Sequence, residues 1–533
     1  MASNQNDPSM GTSRPVYTVE EVAKHNQPGD AWIIIDDGVY DVTKFAKLHP
    51  GGAGPIHRFA GQDVTEQFYM LHSDGVLAKY HDKLCVGKVK GKSPRVPRSK
   101  SAIPKGVNPD LFFGDQIPYG DPNWYQGWMS PYYKKSHREL RAYIRKFVEK
   151  EVIPYAGSWD EAYKIPKDVY AKAAQAQWLA AMVPPPWPAE CTYDPPCGIK
   201  REEFDAFHSL IIQEELCRAG SAGVLWGFIG GLAIGLPPII HEGSDYLKKK
   251  VVADCLNGTK FICLAVTEPW GGSDVAHLKT TAKLTEDGKY YIVNGEKKWI
   301  TNGIFADYFT TAVRTGDDGP FGVSLLLIER NMPGVETKHM KCQGVWASGT
   351  TYVTFTDVKV PVENLIGDEN LGFKAIMHNF NPERIGSIIG AVSFARLCIE
   401  ESFKYAVRRK TFGKRLIDHA VIRAKIAEMI RMVESTHAQL ELIIYQAHTM
   451  DPMQSMRVLG GPIALCKVQA SKTLEFCARE AVQIFGGNGY TRSGLGAKIE
   501  RIYRDVRAYA IPAGSEEIMQ DLGIKMAVRR SKL

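Results

Sequence analysis

A basic segment rich in proline and serine divides this chain into two unlike parts. Residues 91–109 (GKSPRVPRSKSAIPKGVNP) contain five lysines and arginines and no acidic residue. A segment of this composition cannot bury enough apolar surface to form a core, so it predicts a linker. The chain must therefore fold as at least two modules, which we place at residues 16–90 and 130–525, followed by a tail at 526–533.

The composition is that of a globular multidomain protein. The chain has 533 residues, of which 44% are hydrophobic and 23% are charged, and this excludes a disordered or collagen-like chain. The formal net charge of +7 is accounted for by the linker and by the last twelve residues, which add four more cations without an acid. Because the positive charge is not a stripe on a folded surface, we expect no nucleic-acid partner.

Cysteine usage and hydropathy bear on the compartment. The ten cysteines form no C-x-x-C pair and no signal peptide opens the chain, so we expect free thiols in a reducing interior. Residues 219–240 are uncharged and long enough to span a bilayer. Their six glycines and Pro237-Pro238 would weaken a spanning helix by roughly 1 and 3 kcal/mol per residue, respectively. We therefore expect a buried helix and turn, and no membrane span.

The apolar periodicity changes along the chain. Alternating runs at residues 31–35 and 38–42 predict two strands, and helical spacing follows them, which indicates a small α+β unit. After the linker, helical spacing extends to about residue 256. Strand-like runs then occur at residues 261–266, 290–293 and 323–328, before helical spacing returns from residue 371. The periodicity therefore predicts that the second part consists of helices, then a sheet, then helices.

Two histidines in the first module have the chemistry of metal ligands. His49 is followed by Pro-Gly-Gly, and His72 lies 23 residues further on. Two neutral imidazoles from separate loops can occupy both axial positions of a haem iron, which favours electron transfer over oxygen chemistry. The same pair is also compatible with ordinary surface or core histidines. A zinc site has less support, since no cysteine or carboxylate cluster completes a tetrahedron.

Residues 16–90 resemble the cytochrome b5-like haem domain. The resemblance rests on the HPGG turn at His49, residues 59–65 (FAGQDVT) with Phe68 after them, the second histidine before Ser73, and the closing run at residues 86–89. It implies that haem b is bound through its iron by His49 and His72.

The second module lacks the common nucleotide motifs. Neither G-x-G-x-x-G nor G-x-x-x-x-G-K-[ST] occurs, so a Rossmann site and a P-loop have no support. Residues 265–274 (AVTEPWGGSD) form a loop whose backbone N–H groups suit an anionic or carbonyl-rich ligand. Trp299 and Thr301 would point to the same side of a strand. The alternative is a glycine turn beside a core tryptophan.

These stretches resemble the acyl-CoA dehydrogenase family over residues 130–525. Further similarity lies at residues 409–413 (RKTFG), 483–490 (QIFGGNGY) and 503–505 (YRD). The resemblance implies a helical domain at 130–258, a middle β-barrel domain at 259–368 and a C-terminal four-helix bundle at 369–525. The fold class is therefore multidomain, an α+β cytochrome b5-like domain followed by the acyl-CoA dehydrogenase fold. A homodimer or homotetramer is also implied.

The resemblance also assigns cofactor and substrate contacts, residue by residue. FAD would be contacted within one subunit by Val266, Thr267, Ser273, Trp299, Ile300, Thr301, Ser515 and Glu517. The FAD of a neighbouring subunit would be held by Arg409, Thr411, Phe412, Gln483, Gly486 and Gly487. The acyl-CoA substrate would be contacted by Ser273, Asn381 and Arg384.

The catalytic base departs from the commonest family pattern. Most members carry it in a tyrosine-glutamate-glycine-threonine run, but the matching stretch here has Ala513 at the carboxylate position. Isovaleryl- and long-chain-type members carry a glutamate just before an arginine on a bundle helix, and Glu383 has that position. Burial would raise its pKa towards neutrality. Alternatively, Asn381 caps a helix that begins at Pro382 and Glu383 complements its dipole, or Pro382 kinks a longer helix.

The implied function is FAD-dependent α,β-dehydrogenation of an acyl-CoA thioester to the trans-2-enoyl-CoA. The terminal Ser-Lys-Leu predicts a peroxisomal location. We expect the electrons to pass from the flavin to the fused haem and on to an unknown acceptor. The alternatives are an acyl-CoA oxidase that produces hydrogen peroxide, and a non-catalytic protein that binds acyl-CoA or carries electrons.

Overall fold

The computed structural model describes residues 14–72, 74–92, 108 and 111–531. They form two compact units. The first comprises the described residues of Met1–Ile117 together with Lys404–His419 and Ser493–Leu495. The second comprises those of Pro118–Phe403, Ala420–Arg492 and Gly496–Leu533. Most of the predicted linker, and Lys532 and Leu533 of the predicted peroxisomal signal, lie outside the described residues.

The first unit contains a five-stranded sheet covered by short helices. Its strand order is β1-β5-β4-β3-β2, with β1 parallel to β5. The two strands predicted around Asp36 are β3 and β4, which pair antiparallel. The elements are β1 (Val16–Tyr17), α1 (Val19–Val22), β2 (Asn26–Gln27), β3 (Asp30–Ile35), β4 (Gly38–Asp41), α2 (Ala53–Phe59), α3 (Thr65–Leu71), α4 (Asp74–Leu84) and β5 (Cys85–Val89).

The second unit begins with helices, as the periodicity predicts. They are α5 (Lys135–Glu151), α6 (Ala156–Glu161), α7 (Lys167–Gln175), α8 (Ala206–Cys217), α9 (Ala222–Ile229), α10 (Pro237–Glu242) and α11 (Asp245–Leu256). Arg145 of α5 lies buried between Asp121, at 2.8 Å, and Glu215 of α8. Since a buried charge is costly unless it is paired, this arrangement ties α5 to α8.

The long apolar run forms α9, a π-helical segment at Gly230–Gly235, and α10. By length and composition, Ala222–Glu242 is the one candidate membrane span found in the described part of the chain, and 72% of its most apolar window is buried inside the protein. Thr310 donates a hydrogen bond to the carbonyl of Gly235 at 2.6 Å, so a strand of the neighbouring sheet packs against this segment. The buried helix and turn that we expected are what the structure contains.

An eight-stranded, mainly antiparallel sheet follows. Its order is β11-β12-β8-β7-β9-β10-β13, with β6 paired to β9. Buried side chains such as Val293, Phe309 and Val353 form its core. The strands are β6 (Ile262–Ala265), β7 (Thr281–Leu284), β8 (Tyr290–Ile300), β9 (Tyr308–Arg314), β10 (Val323–Glu329), β11 (Val335–His339), β12 (Thr351–Pro361) and β13 (Leu365–Ile366).

Helices, the first three of them long, make up most of the rest of the described chain. They are α12 (Gly372–Arg408), α13 (Ala420–Thr449), α14 (Pro452–Phe485), α15 (Ala497–Asp505), α16 (Arg507–Ala510) and α17 (Glu516–Ser531). A short hairpin of β14 (Lys410–Thr411) and β15 (Lys414–Arg415) follows α12 and belongs to the first unit. The helices bury apolar stripes that include Ile388, Val433 and Leu474. All ten cysteines are unpaired, as expected.

Candidate functional site

His49 and His72 face each other in the first unit. Their ring centroids are 5.8 Å apart, with 51° between the ring planes. The Nδ1 atom of His49 lies 3.0 Å from the carbonyl oxygen of Gly52, and that of His72 lies 3.2 Å from the carbonyl oxygen of Phe68. Since a carbonyl can only accept, each Nδ1 carries the proton and each Nε2 keeps its lone pair. Metal-ligating histidines are typically oriented in this way, with one ring nitrogen bonded to a carbonyl and the other left to bind the metal.

The surroundings of the two rings suit a haem. In the part of the chain that the structure describes, neither Nε2 makes a hydrogen bond to the protein. Phe68 stacks on His72 at 4.7 Å, and Phe45 lies 6.0 Å from His49, so the space beside the rings is apolar. Burial lowers the pKa of His72, which favours the neutral, ligating form. The residues present fit a haem iron with two axial imidazoles.

A cavity of about 730 Å³ opens in the second unit. Its walls come from α8, the π-helical segment, α12, α13, α14 and the segment before α17. Of the residues that the sequence singles out, Thr301, Asn381, Glu383 and Ala513 line it. The volume is typical of small-molecule sites in proteins.

Glu383 projects into this cavity from the interior of α12. The helix runs unbroken from Gly372 to Arg408 and contains Pro382, so the alternative in which Asn381 caps a helix starting at Pro382 is wrong. Glu383 is twelve residues into the helix, well past the first turn, where the helix dipole stabilises a carboxylate. Dipole stabilisation therefore does not explain the position of this side chain.

The carboxyl group of Glu383 has cations near it but no ion pair. Burial raises its pKa to about 7, and the positive charges of Arg384 and Lys467 offset part of that effect. No hydrogen bond or salt bridge to this carboxylate occurs among the described residues. Near neutral pH the group can therefore both take and release a proton.

The two neighbouring cations are engaged with backbone and amide oxygens. Arg384 donates to the carbonyl of Ala513 and to Oδ1 of Asn381, each at 3.2 Å. The ammonium group of Lys467 donates to the carbonyls of Ala510 at 3.1 Å and Gly514 at 2.8 Å. Burial lowers the pKa of Lys467 to about 8. Both side chains fix the segment that carries Ala513 against the helices α12 and α14.

Lys467 was not identified from the sequence, although its position carried a signal. It follows the buried residue Ile463 by four positions, and the buried residues Ala470 and Leu474 lie three and seven positions further on. A lysine on the apolar face of a helix must find acceptors inside the core. The periodicity alone could therefore have marked it as a structural cation.

The loop after β6 is fixed by a second buried cation. Lys297 of β8 is fully buried and lies 2.8 Å from Oε1 of Glu268 and 3.1 Å from the carbonyl of Val266. Glu268 also accepts hydrogen bonds from the backbone N–H groups of Lys279 and Thr280. These bonds fix the course of the main chain at Val266 and Thr267, whereas Ser273 lies exposed further along the loop.

The expected alternation at the end of β8 does not hold. Trp299 has φ +61°, a left-handed conformation that interrupts the alternation near the end of β8, and Thr301 follows the last residue of the strand, so Trp299 and Thr301 do not share one strand face. The indole is 49% exposed, whereas Ile300 is buried. Thr301 lines the cavity and lies close to Gly230 of the π-helical segment. The core-tryptophan alternative is therefore wrong as well.

The remaining residues assigned to FAD lie in three places. Arg409, Thr411 and Phe412 belong to the hairpin region of the first unit, where Thr411 Oγ1 lies 3.1 Å from Nε2 of His419. Gln483, Gly486 and Gly487 lie at the exposed end of α14 and just beyond it. Ser515 and Glu517 lie at the start of α17.

Family models match four parts of the chain. A cytochrome b5-like heme/steroid binding domain matches residues 18–90. The N-terminal, middle and C-terminal domains of acyl-CoA dehydrogenase match residues 134–259, 263–358 and 370–527.

Relatives and solved structures agree with these matches. The acyl-CoA dehydrogenase apdG of Emericella nidulans is 41% identical over 421 residues, 78% of this chain and 96% of the relative. The acyl-CoA dehydrogenase AFT10-1 of Alternaria alternata is 39% identical and also covers 78% of this chain and 96% of itself. A probable acyl-CoA dehydrogenase from Mycobacterium abscessus superposes with a TM-score of 0.67 at 35% identity, over 74% of this chain and all of that one.

A further solved structure contains the cofactor. The acyl-CoA dehydrogenase from Bacillus anthracis, complexed with FAD, has a TM-score of 0.66 at 28% identity and covers 76% of this chain and 70% of its own. This protein therefore belongs to the acyl-CoA dehydrogenase family of FAD-binding oxidoreductases, and it carries a cytochrome b5-like haem-binding domain ahead of its dehydrogenase domains.

Proposed function

We propose that this enzyme converts an acyl-CoA thioester into the trans-2-enoyl-CoA, with Glu383 as the catalytic base. The observation that carries the proposal is the carboxyl group of Glu383 in the cavity wall, without an ion pair and with a pKa of about 7. A base with this pKa is half ionised at neutral pH, which suits removal of the proton α to a thioester carbonyl.

The chain's own residues bind, orient and exclude water. The walls of the cavity are largely apolar, with Ile385 and Ile389 on the same helix as the base, so a bound acyl chain displaces water from the carboxylate. Ala513 lines the cavity at the position where, by the family resemblance, most members carry the catalytic carboxylate. Glu383 would take the α-proton, and the residues assigned to FAD would hold the group that supplies the acceptor for the hydride from the β-carbon. The substrate thus loses two protons and two electrons.

Replacement of the base tests this assignment. In Glu383→Gln the amide cannot take a proton, and we expect the rate of anaerobic flavin bleaching by acyl-CoA to fall by about 100-fold or more. The matched control is Glu363→Gln, which changes an exposed glutamate outside the cavity and should leave the rate within about twofold. Unchanged bleaching in Glu383→Gln would contradict the assignment and favour a base elsewhere.

The pH dependence gives a second test. The ionised form of Glu383 is the active one, and its pKa is raised to about 7. The rate of flavin bleaching should therefore rise about tenfold per pH unit below 7 and level off above about 8. Stopped-flow absorbance between pH 5.5 and 9 measures this profile, and a flat profile over that range would exclude a base with this pKa.

We further propose that the electrons leave through the haem domain. Within the first unit, Nζ of Lys410 lies 3.0 Å from Oε2 of Glu66, and the guanidinium of Arg408 lies 5.7 Å from the ring of Tyr69. Glu66 and Tyr69 belong to α3, the helix that ends next to His72. Lys410 belongs to the hairpin with Thr411, which the family resemblance assigns to the FAD of a neighbouring subunit. The first unit therefore contains both the two histidines and residues assigned to that FAD, which supports the proposed path.

Rapid anaerobic mixing with acyl-CoA tests the electron path. We expect the flavin to bleach first and the absorbance of reduced haem to follow within the same turnover. In His72→Leu, which removes one axial imidazole, flavin bleaching should persist while haem reduction is lost. If the wild-type flavin bleaches and the haem stays oxidised, the path is rejected. Peroxide formation in air would then favour an oxidase.

The exposed residues near the flavin positions support a homodimer or homotetramer. Phe412 is 96% exposed and has φ +50°, a conformation that favours glycine. Gln483, Gly486 and Gly487 are exposed as well. Apolar and glycine-rich surface of this kind is costly in a single chain, and contact with the FAD of a neighbouring subunit would cover it.

We propose a peroxisomal location on the basis of the terminal Ser-Lys-Leu, of which Ser531 is the described residue. A fluorescent protein fused ahead of the chain should co-localise with a peroxisomal marker. The same fusion without the last three residues should be diffuse. Identical distributions of the two fusions would reject the signal.

A further inference from the structure

The cavity contains a polar side chain that no protein group satisfies. Gln213 of α8 lines the cavity, and its amide oxygen Oε1 is buried without a hydrogen-bond partner among the described residues. Its cavity neighbours include Ile385 and Ile389 of α12 and Met182, none of which can donate a hydrogen bond. A buried amide oxygen left unpaired is destabilising, and a polar ligand atom in the cavity that pairs with the Gln213 amide would offset this cost.

The position of this amide relative to the base can be read from α12. A Cβ added at Gly386 would lie 3.7 Å from Oε1 of Gln213, so the amide packs directly on that glycine. Gly386 is three residues after Glu383, which corresponds to about 4.5 Å along the helix axis. The amide of Gln213 therefore packs on α12 nearly one helical turn beyond the base.

The helix that carries Gln213 holds it in place. The carboxylate of Asp205 caps α8 by accepting hydrogen bonds from the backbone N–H groups of Phe207 and His208 at 3.0 and 3.1 Å. Ser209, one turn before Gln213, also lines the cavity, but its hydroxyl already donates to the carbonyl of Ala181 at 3.4 Å. Gln213 is therefore the side chain of this helix that is free to bind a ligand atom.

We propose that the acyl group of the substrate carries a hydroxyl away from its thioester end, and that Gln213 selects for it. The inference rests on the proposed function and names the substrate class of the same site. A hydroxyl both donates and accepts, so it can pair with the oxygen and the nitrogen of the amide. A hydrocarbon chain would leave the amide unpaired, and sites that bind a substrate hydroxyl discriminate strongly against the analogue that lacks it.

A matched pair of substrates tests the proposal. We compare hexanoyl-CoA with 5-hydroxyhexanoyl-CoA, and octanoyl-CoA with 6-hydroxyoctanoyl-CoA, by anaerobic flavin bleaching of the holoenzyme. The wild type should prefer at least one hydroxylated member by about tenfold or more in kcat/KM. In Gln213→Leu, which is similar in size, we expect that preference to vanish while the rate with the plain chain stays equal or rises. Gln175→Leu, the same change at an exposed glutamine outside the cavity, is the control and should keep the wild-type preference.

The outcomes separate this inference from the proposed function. Equal bleaching by both members of each pair in the wild type, or an unchanged preference in Gln213→Leu, overturns the hydroxyl inference and leaves dehydrogenation standing. If no acyl-CoA bleaches the flavin, dehydrogenation fails. The Kd values of the same pairs, measured by calorimetry with Glu383→Gln and with Glu383→Gln/Gln213→Leu, then decide the role of Gln213 without turnover.

Discussion

A carboxyl group buried without an ion pair is the constraint on which the catalytic region depends. Burial disfavours the charged form of Glu383, and full neutralisation by a cation would make it a weak base. The structure avoids both extremes, because Lys467 and Arg384 lie near the carboxylate while their hydrogen bonds go to other oxygens. The resulting pKa of about 7 requires α12, α14 and the segment before α17 to keep these positions together.

In both cofactor regions, hydrogen bonds between side chains and backbone carbonyls fix the local structure. In the dehydrogenase part, the buried cations Lys297 and Lys467 bind backbone carbonyls and so fix loops that have no regular hydrogen-bond ladder. In the haem domain, backbone carbonyls at Gly52 and Phe68 fix the orientation of the two imidazoles. In the haem domain the main chain therefore orients the two imidazoles, whereas in the dehydrogenase part buried side chains fix the main chain around the site.

Much of this organisation could be predicted from the sequence, because it depends on local patterns. Alternation identified β3 and β4, a continuous strand-like run identified β10, and the HPGG turn with a second histidine identified a pair of rings that the structure places 5.8 Å apart. The features that could not be predicted depend on contacts between residues that are distant in the sequence. A helix that continues through Pro382 contradicts local propensity, and tertiary packing outweighs the loss of one hydrogen bond there. The unpaired amide oxygen of Gln213 could not be predicted either, because it depends on which residues from other helices pack around it.

The way Lys467 is bonded has a consequence for how such a site can change during evolution. Its ammonium group binds the carbonyl oxygens at positions 510 and 514, and Arg384 binds the one at 513, so no contact depends on the side chain at position 513. The hydrogen bonds that hold the main chain there are therefore independent of which side chain occupies that position. A lineage can therefore lose a carboxylate from this wall and gain one on α12 without rebuilding the pocket. The side chains that hold the wall bind backbone carbonyls, so the side chain at position 513 can change while these bonds stay.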